Sequence, residues 1–118
     1  MVKAYYVYIL ANARRGAFYV GVTSDLIGRC HQHKAGIPNS FTNRYSIKYL
    51  IWYESHGDPE SAIRREKRIK RWTREQKTSV IEAHNPEWRD LSGSLGGAAI
   101  SECPVLPDPR VLRTRHRG

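Results

Sequence analysis

Glu66 stands where a carboxylate is out of place. With Ala62 set at zero on a helix and each residue advanced by about 100°, Ile69 falls near −20° and Ile63 near +100°, so the apolar face of segment 59–72 centres on Ala62. Arg64, Lys67, Arg68 and Arg71 lie towards the opposite side, but Glu66 falls at about +40°, within the apolar face. A carboxylate there must be ion-paired, bound to a metal or set at the edge of a pocket. Taken singly, an ion pair to Lys70 is the simpler account. A second group lies upstream. With Leu26 set at zero on a helix, Arg29 and His33 are neighbours one turn apart, bordering the stripe made by Leu26 and Cys30. Arginine offers a rigid fork to phosphate oxygens, and histidine moves a proton near neutral pH. Together with a carboxylate they could serve phosphoryl chemistry. Tyrosines supply a third oddity: Tyr5, Tyr6, Tyr8 and Tyr19 crowd two strand-like runs, with Tyr6 and Tyr8 on one face and Tyr5 on the other. Packing accounts for any one of them. Cys30, His31, His33 and His56 lack the spacing of a zinc site.

Six elements must position these groups. The aromatic and β-branched run Ala4–Leu10 reads as a strand, and Ala17–Val22 as a second, joined by a turn around Asn12 and Gly16. Thr23 or Ser24 can cap a helix to about Ala35, which Gly36 and Pro38 terminate. Lys48–Glu54 is a third strand. Asp58-Pro59 caps and opens a helix to Trp72, and Thr73-Arg74-Glu75-Gln76 has the capping-box spacing for another to about His84, closed by Asn85-Pro86. The order β-β-α-β-α-α predicts an α+β fold: a small three-stranded sheet of antiparallel type flanked by helices.

Composition narrows the partner. The chain has 118 residues with 20 Lys+Arg against 11 Asp+Glu, a formal charge of +9. That length suits one domain and excludes a TIM barrel, while 40% hydrophobic residues are enough for a real core. No apolar run is long enough to span a membrane, and the opening residues do not read as a signal peptide. Two cysteines in dissimilar contexts, Cys30 and Cys103, argue against a disulfide framework and for a cytoplasmic location. Residues 64–77 carry eight Lys/Arg and two Glu, more basic charge than solubility requires, which points to a polyanion. Residues 1–91 are expected to form the folded unit. Residues 92–118, with ten Gly, Ser or Pro among 27, read as a mostly disordered tail ending in Arg110, Arg113, Arg115 and Arg117.

These residues also fall in a known order. Tyr6-Val7-Tyr8 followed by Tyr19-Val20-Gly21, then Arg29, His33, the run from Ala62 through Glu66 to Trp72, and Asn85, resemble the GIY-YIG nuclease superfamily over about residues 4–90. Gly21–Leu26, Trp52-Tyr53-Glu54 and Asn85-Pro86-x-Trp88 are similar to a bacterial group of small, free-standing members, some of them single-strand-specific DNA endonucleases. Tyr6 replaces the glycine of the first motif, and Val20 replaces isoleucine.

The resemblance implies a metal-dependent DNA endonuclease, preferring single strands, in repair, recombination or DNA uptake. It implies Tyr8, Tyr19, Arg29, His33, Glu66 and Asn85 as catalytic residues, with Glu66 holding one Mg²⁺ or Mn²⁺. Arg29 would neutralise charge on the phosphate, either Tyr8 or His33 would deprotonate the attacking water, and Asn85 would orient a water or the phosphate. For the substrate, Lys34, Arg44, Lys48, Arg65, Lys67 and Lys70 could follow a phosphate backbone. Phe41 and Tyr45, in an expected loop, could stack on unpaired bases, with Trp88 equally a core plug. The alternatives are a nucleic-acid-binding module without cleavage, or a subunit active only with a partner.

Overall fold

The computed structural model describes residues 3–38 and 40–107. Strand β1 (Tyr5–Ala11) and strand β2 (Phe18–Thr23) form the expected hairpin, antiparallel from Tyr6 opposite Thr23 to Ala11 opposite Phe18. In the turn, the Asn12 side chain accepts the Ala17 N–H at 2.8 Å. A Cβ on Gly16 would sit 2.1 Å from that same Asn12 oxygen, so only glycine leaves the turn its bond. Strand β3 (Tyr49–His56) pairs antiparallel with the other edge of β1, giving the order β2-β1-β3. The fold is α+β, as expected.

Helix α1 (Leu26–Ala35) starts one residue later than expected. Asp25, not Thr23 or Ser24, is the cap and accepts the Gly28 N–H at 3.0 Å, while the Thr23 hydroxyl braces the Asp25 N–H from behind. Gly36 closes the helix at φ 86°, which an L side chain adopts only under strain. Ser40 then caps a one-turn helix, α2 (Phe41–Arg44), where the sequence reading placed a loop. Helix α3 (Pro59–Arg71) begins on the Asp58 cap with Pro59 in its first turn, and Trp72 ends it. Helix α4 (Arg74–His84) carries the expected capping box: the Thr73 hydroxyl accepts from Gln76 N–H and the Gln76 side chain accepts from Thr73 N–H.

The sheet is covered on both faces. Val7, Ile9 and Ala11 of β1 pack with Val20 and Trp52 against Ala62 and Ile69 of α3 and Ile81 of α4. Tyr8 and Leu10, pointing the other way, pack with Leu26 and Cys30 of α1 and with Ile47 and Leu50. The pairing of β1 with β3 slips between Ile9 and Leu10, so that Ile51 has no counterpart. Segment 85–91 clamps this bulge. Asn85 Nδ2 donates to the Ile51 carbonyl at 3.0 Å, Leu91 N–H donates to the Leu50 carbonyl at 2.7 Å, and Leu50 N–H donates to the buried Asp90 at 3.2 Å.

The expected tail is corrected for residues 92–107, which are folded onto the domain. A short helix α5 (Ser92–Leu95) and a 3₁₀ turn (Ile100–Glu102) lead to buried Cys103 and Leu106. Leu106 N–H donates to the Trp88 carbonyl, Asp90 N–H to the Pro104 carbonyl, and Arg14 N–H in the hairpin turn to the Pro107 carbonyl. A Gly- and Pro-rich segment has no period from which its packing can be read, which is why composition mistook it for a tail. Residues 108–118, with the four expected arginines, lie outside the described residues. Because Leu106 packs in the same cluster as the fully buried Trp88, Leu106→Ala is expected to cost about 2–5 kcal/mol. A lower urea midpoint at unchanged slope checks this, and an unshifted midpoint would show that the segment does not seal the core.

Candidate active site

The hairpin sets Tyr8 directly opposite Gly21. A Cβ on Gly21 would lie 2.6 Å from the Tyr8 hydroxyl and 3.0 Å from the Tyr19 ring, so the glycine is the space into which both tyrosines turn. The Tyr8 and Tyr19 rings meet with centroids 6.3 Å apart, and His33 of α1 completes the triangle at 6.2 Å from Tyr8 and 5.7 Å from Tyr19. Tyr6, which stands in place of the motif glycine, packs edge-on against Tyr53.

His33 is buried and held at both ends. Its Nδ1 lies 3.1 Å from the Thr42 hydroxyl of α2, and its Nε2 lies 3.5 Å from the Tyr8 hydroxyl. Thr42 in turn lies 3.2 Å from the Ser40 hydroxyl, which donates to the Ile37 carbonyl at 2.7 Å. Burial and the field of Arg29 hold the His33 pKa below its ordinary 6.5, so the ring is neutral at pH 7. Burial pushes the Tyr8 phenol far above its ordinary value; Tyr19 adds to this, Arg29 opposes it and Glu66 raises it slightly. Tyr8 therefore keeps its proton while His33 keeps a lone pair.

Tyr8 thus senses both Arg29 and Glu66. Arg29 is half-buried and makes no ion pair among the described residues. Glu66 is 14% exposed and its Oε2 meets Lys70 Nζ at 2.7 Å, so the sequence's simpler account of its position is observed. Lys70 is 53% exposed, and such a pair contributes about 0–1 kcal/mol, which leaves the ammonium free to yield to a stronger cation. No group of three or more His, Cys, Asp or Glu that could hold a metal occurs among the described residues. The donor set therefore does not fit a protein-built zinc or calcium cage. It fits a hard divalent ion that keeps most of its waters and borrows phosphate oxygens.

Asn85 is a correction. Its amide donates to the carbonyls of Ile51 at 3.0 Å and Arg89 at 2.9 Å, and its oxygen accepts the Arg89 N–H at 3.0 Å. With both amide hydrogens committed to backbone and 2% exposed, it clamps the β3 bulge and has no donor left for a phosphate. Trp88 is the core plug of the two readings: fully buried, stacked on Phe18, with its indole donating to Glu82 at 2.7 Å.

The expected substrate-binding residues divide. Phe41 and Tyr45 are 56% and 48% exposed, with ring centroids 4.9 Å apart, and Arg44 and Lys67 are exposed beside other elements of the surface. Lys48 lies over the Tyr49 ring at 5.7 Å. Others are already engaged: Lys34 pairs with buried Asp90 at 2.5 Å, Arg65 donates to Glu54 at 2.9 Å and stacks over Trp72, and Lys70 pairs with Glu66. Sequence reasoning missed Ser40, Thr42 and the spatial role of Gly21. Ser40 ahead of Phe41 was a readable cap, but nothing local marks Thr42 as a partner of His33.

Comparison with known proteins follows the same residues. A family model described as the GIY-YIG catalytic domain matches residues 4–79, a span that holds Tyr8, Tyr19, Arg29, His33 and Glu66 and excludes Asn85. The chain is similar to a UPF0213 protein of Lacticaseibacillus paracasei, 34% identical over 74% of this chain and 97% of that one. A UPF0213 protein of Staphylococcus haemolyticus is 32% identical over 66% and 94%. The solution NMR structure of a UPF0213 protein from Bacillus halodurans aligns at 27% identity and TM-score 0.45 over 70% of this chain and 86% of that one.

Two outcomes are expected of the protein alone. Gly21→Ala forces Tyr8 or the hairpin to move and should destabilise by about 1–3 kcal/mol, seen as a lower melting temperature with shifted Tyr8 ring resonances; an unshifted melt would mean that the close approach is not built. Because the folded-state pKa of His33 is depressed, its contribution to stability is complete above about 6.5 and is lost as the pH falls through the folded value. His33→Gln should flatten that acid limb in melts followed against pH, and an unchanged limb would place the titration elsewhere.

Proposed function

We infer the function from one premise, that the chain belongs to the GIY-YIG catalytic domain family, a family of nucleases: it is a divalent-metal-dependent endonuclease that hydrolyses DNA phosphodiester bonds, with single strands as the favoured substrate. The observation that carries this reading is the cluster of Tyr8, Tyr19 and buried His33, with the Tyr8 hydroxyl 3.5 Å from the Nε2 of His33, on the helix that also carries Arg29, half-buried and without an ion pair among the described residues. A core tyrosine needs neither the imidazole nor the guanidinium. A site for a dianionic transition state needs a cation to meet the phosphate and an anion to hold the metal.

The geometry supports the following roles. Arg29, without an ion pair among the described residues, meets the equatorial oxygens of the phosphate. Glu66 would hold Mg²⁺ or Mn²⁺ once Lys70 swings aside; the bound ion supplies charge neutralisation at the scissile phosphate and the leaving oxygen. Between the two candidate bases, burial favours His33 as the final acceptor. Tyr8 holds its proton too tightly to be the resting base, whereas neutral His33 can receive one, so Tyr8 passes a proton from the attacking water to His33. Tyr19 packs beside both and fixes the Tyr8 ring.

The exposed Phe41 and Tyr45 rings support the preference for single strands, since stacking requires unpaired bases. Arg44 in the same short helix and Lys67 on α3 supply the phosphate contacts.

The deciding experiment incubates purified protein with labelled single- and double-stranded DNA in Mg²⁺, Mn²⁺ or EDTA. Wild type is expected to cut single strands only with metal. Glu66→Gln should bind DNA as wild type and cut at least about 10²-fold more slowly, and Arg29→Ala should lose about 10²–10³-fold. If all bind and none cuts in any metal, the chain is a binding module or needs a partner, and the catalytic reading is wrong.

A further inference from the structure

The hydroxyl chain behind His33 has a direction. The Ser40 hydroxyl has one hydrogen, and the Ile37 carbonyl at 2.7 Å can only accept, so that hydrogen is spent there. Ser40 has no second hydrogen to give, so a hydrogen bond across the 3.2 Å contact between the Ser40 and Thr42 hydroxyls is donated by Thr42. With its single hydrogen spent on that bond, the Thr42 oxygen accepts at 3.1 Å from His33 Nδ1. That places the imidazole hydrogen on Nδ1 and leaves Nε2 as a bare lone pair facing the Tyr8 hydroxyl at 3.5 Å. We propose that Thr42 is a positioning residue: braced by Ser40, it fixes buried His33 in the Nδ1–H tautomer, so that Nε2 accepts the Tyr8 proton.

The alternative tautomer is the one the surroundings oppose. With hydrogen on Nε2, the imidazole would donate to Tyr8, and bare Nδ1 would face a Thr42 oxygen that has no hydrogen to give. Both groups are buried, His33 6% and Thr42 4% exposed, so no water is at hand to repair the mismatch. In the productive direction the step balances. As the attacking water adds to phosphorus, its proton passes to the Tyr8 oxygen, the Tyr8 proton passes to Nε2, and His33 becomes an imidazolium with hydrogen on both nitrogens; the P–O bond to the leaving oxygen breaks with its electron pair, and that oxygen takes a proton from solvent. The catalytic consequence rests on the nuclease reading; the tautomer does not.

Thr42 also lies on α2 between Phe41 and Arg44, whose side chains are exposed. One helical turn thus carries the residue that sets His33 on its inner side and the proposed base-stacking ring on its outer side.

Nitrogen-15 ring spectra of the full chain, without DNA or metal and at neutral pH, test the proposal. In wild type, His33 Nδ1 should give the protonated and Nε2 the unprotonated signature. Thr42→Val, which keeps the shape and removes the acceptor, should shift the ring to the Nε2–H form, and Thr42→Ser should restore the wild-type pattern. In cleavage assays Thr42→Val should lower kcat about 10²-fold with DNA affinity unchanged, and Thr42→Ser should recover most of it. An Nε2–H ring in wild type overturns the proposal whether or not any variant folds, as does a folded Thr42→Val that keeps the wild-type tautomer. A wild type with the Nδ1–H ring that cuts no DNA supports the tautomer and overturns the nuclease reading instead.

Discussion

Because β1 is hydrogen-bonded along both edges and covered on both faces, none of its residues can shift without disturbing a neighbouring strand and a packed layer at once. Val7, Ile9 and Ala11 are committed to the α3–α4 side, which fixes Tyr8 on the α1 side with nowhere to turn except over Gly21. Everything in the site is measured from that ring. Tyr19 and His33 touch it, Arg29 and Glu66 act on it, and α2 reaches it through His33.

Desolvation sets the resting state of Tyr8 and His33. The same burial that makes the Tyr8 phenol a poor acid makes His33 a poor cation, so the two groups are pushed in opposite directions by one cause. The pair rests neutral, with the hydrogen on oxygen and the lone pair on nitrogen. Arg29 works against charge on His33 and in favour of charge on Tyr8, which keeps a guanidinium beside the pair without freezing either in its ionised form.

Much of this was legible in the chain. Caps at Asp58 and Thr73 are local chemistry within four residues, and both were read correctly. The order Tyr8, Tyr19, Arg29, His33, Glu66 was legible because each residue sits at a fixed offset on an element whose period is known. What failed depended on distance. Asn85 was given a role in the site because its position in the order matched, but its amide is consumed by the carbonyl that a bulge in β3 leaves without a strand partner, and no sequence period announces a bulge. Lys34 and Arg65 looked like free cations because their partners Asp90 and Glu54 are fixed only by the folded chain, whereas the Glu66–Lys70 pair was readable from its i,i+4 spacing. Segment 92–107 looked unstructured because it folds against other parts of the molecule and has no pattern of its own.

That segment bears on how the molecule is made. The Arg14 N–H in the first turn bonds the Pro107 carbonyl at the far end of the described chain, and Leu106 bonds Trp88. Closing so long a loop adds little to the thermodynamic cost, since the entropy grows only with the logarithm of its length. It matters for timing. Domains assemble as the chain emerges from the ribosome at about 5–20 residues per second, and every side chain of the site has been synthesised by Glu66. The clasp on the hairpin turn comes later, so the tyrosine-bearing strands gain their last tertiary support only when residue 107 is available. The strands that carry Tyr8 and Tyr19 wait on residue 107 to be secured.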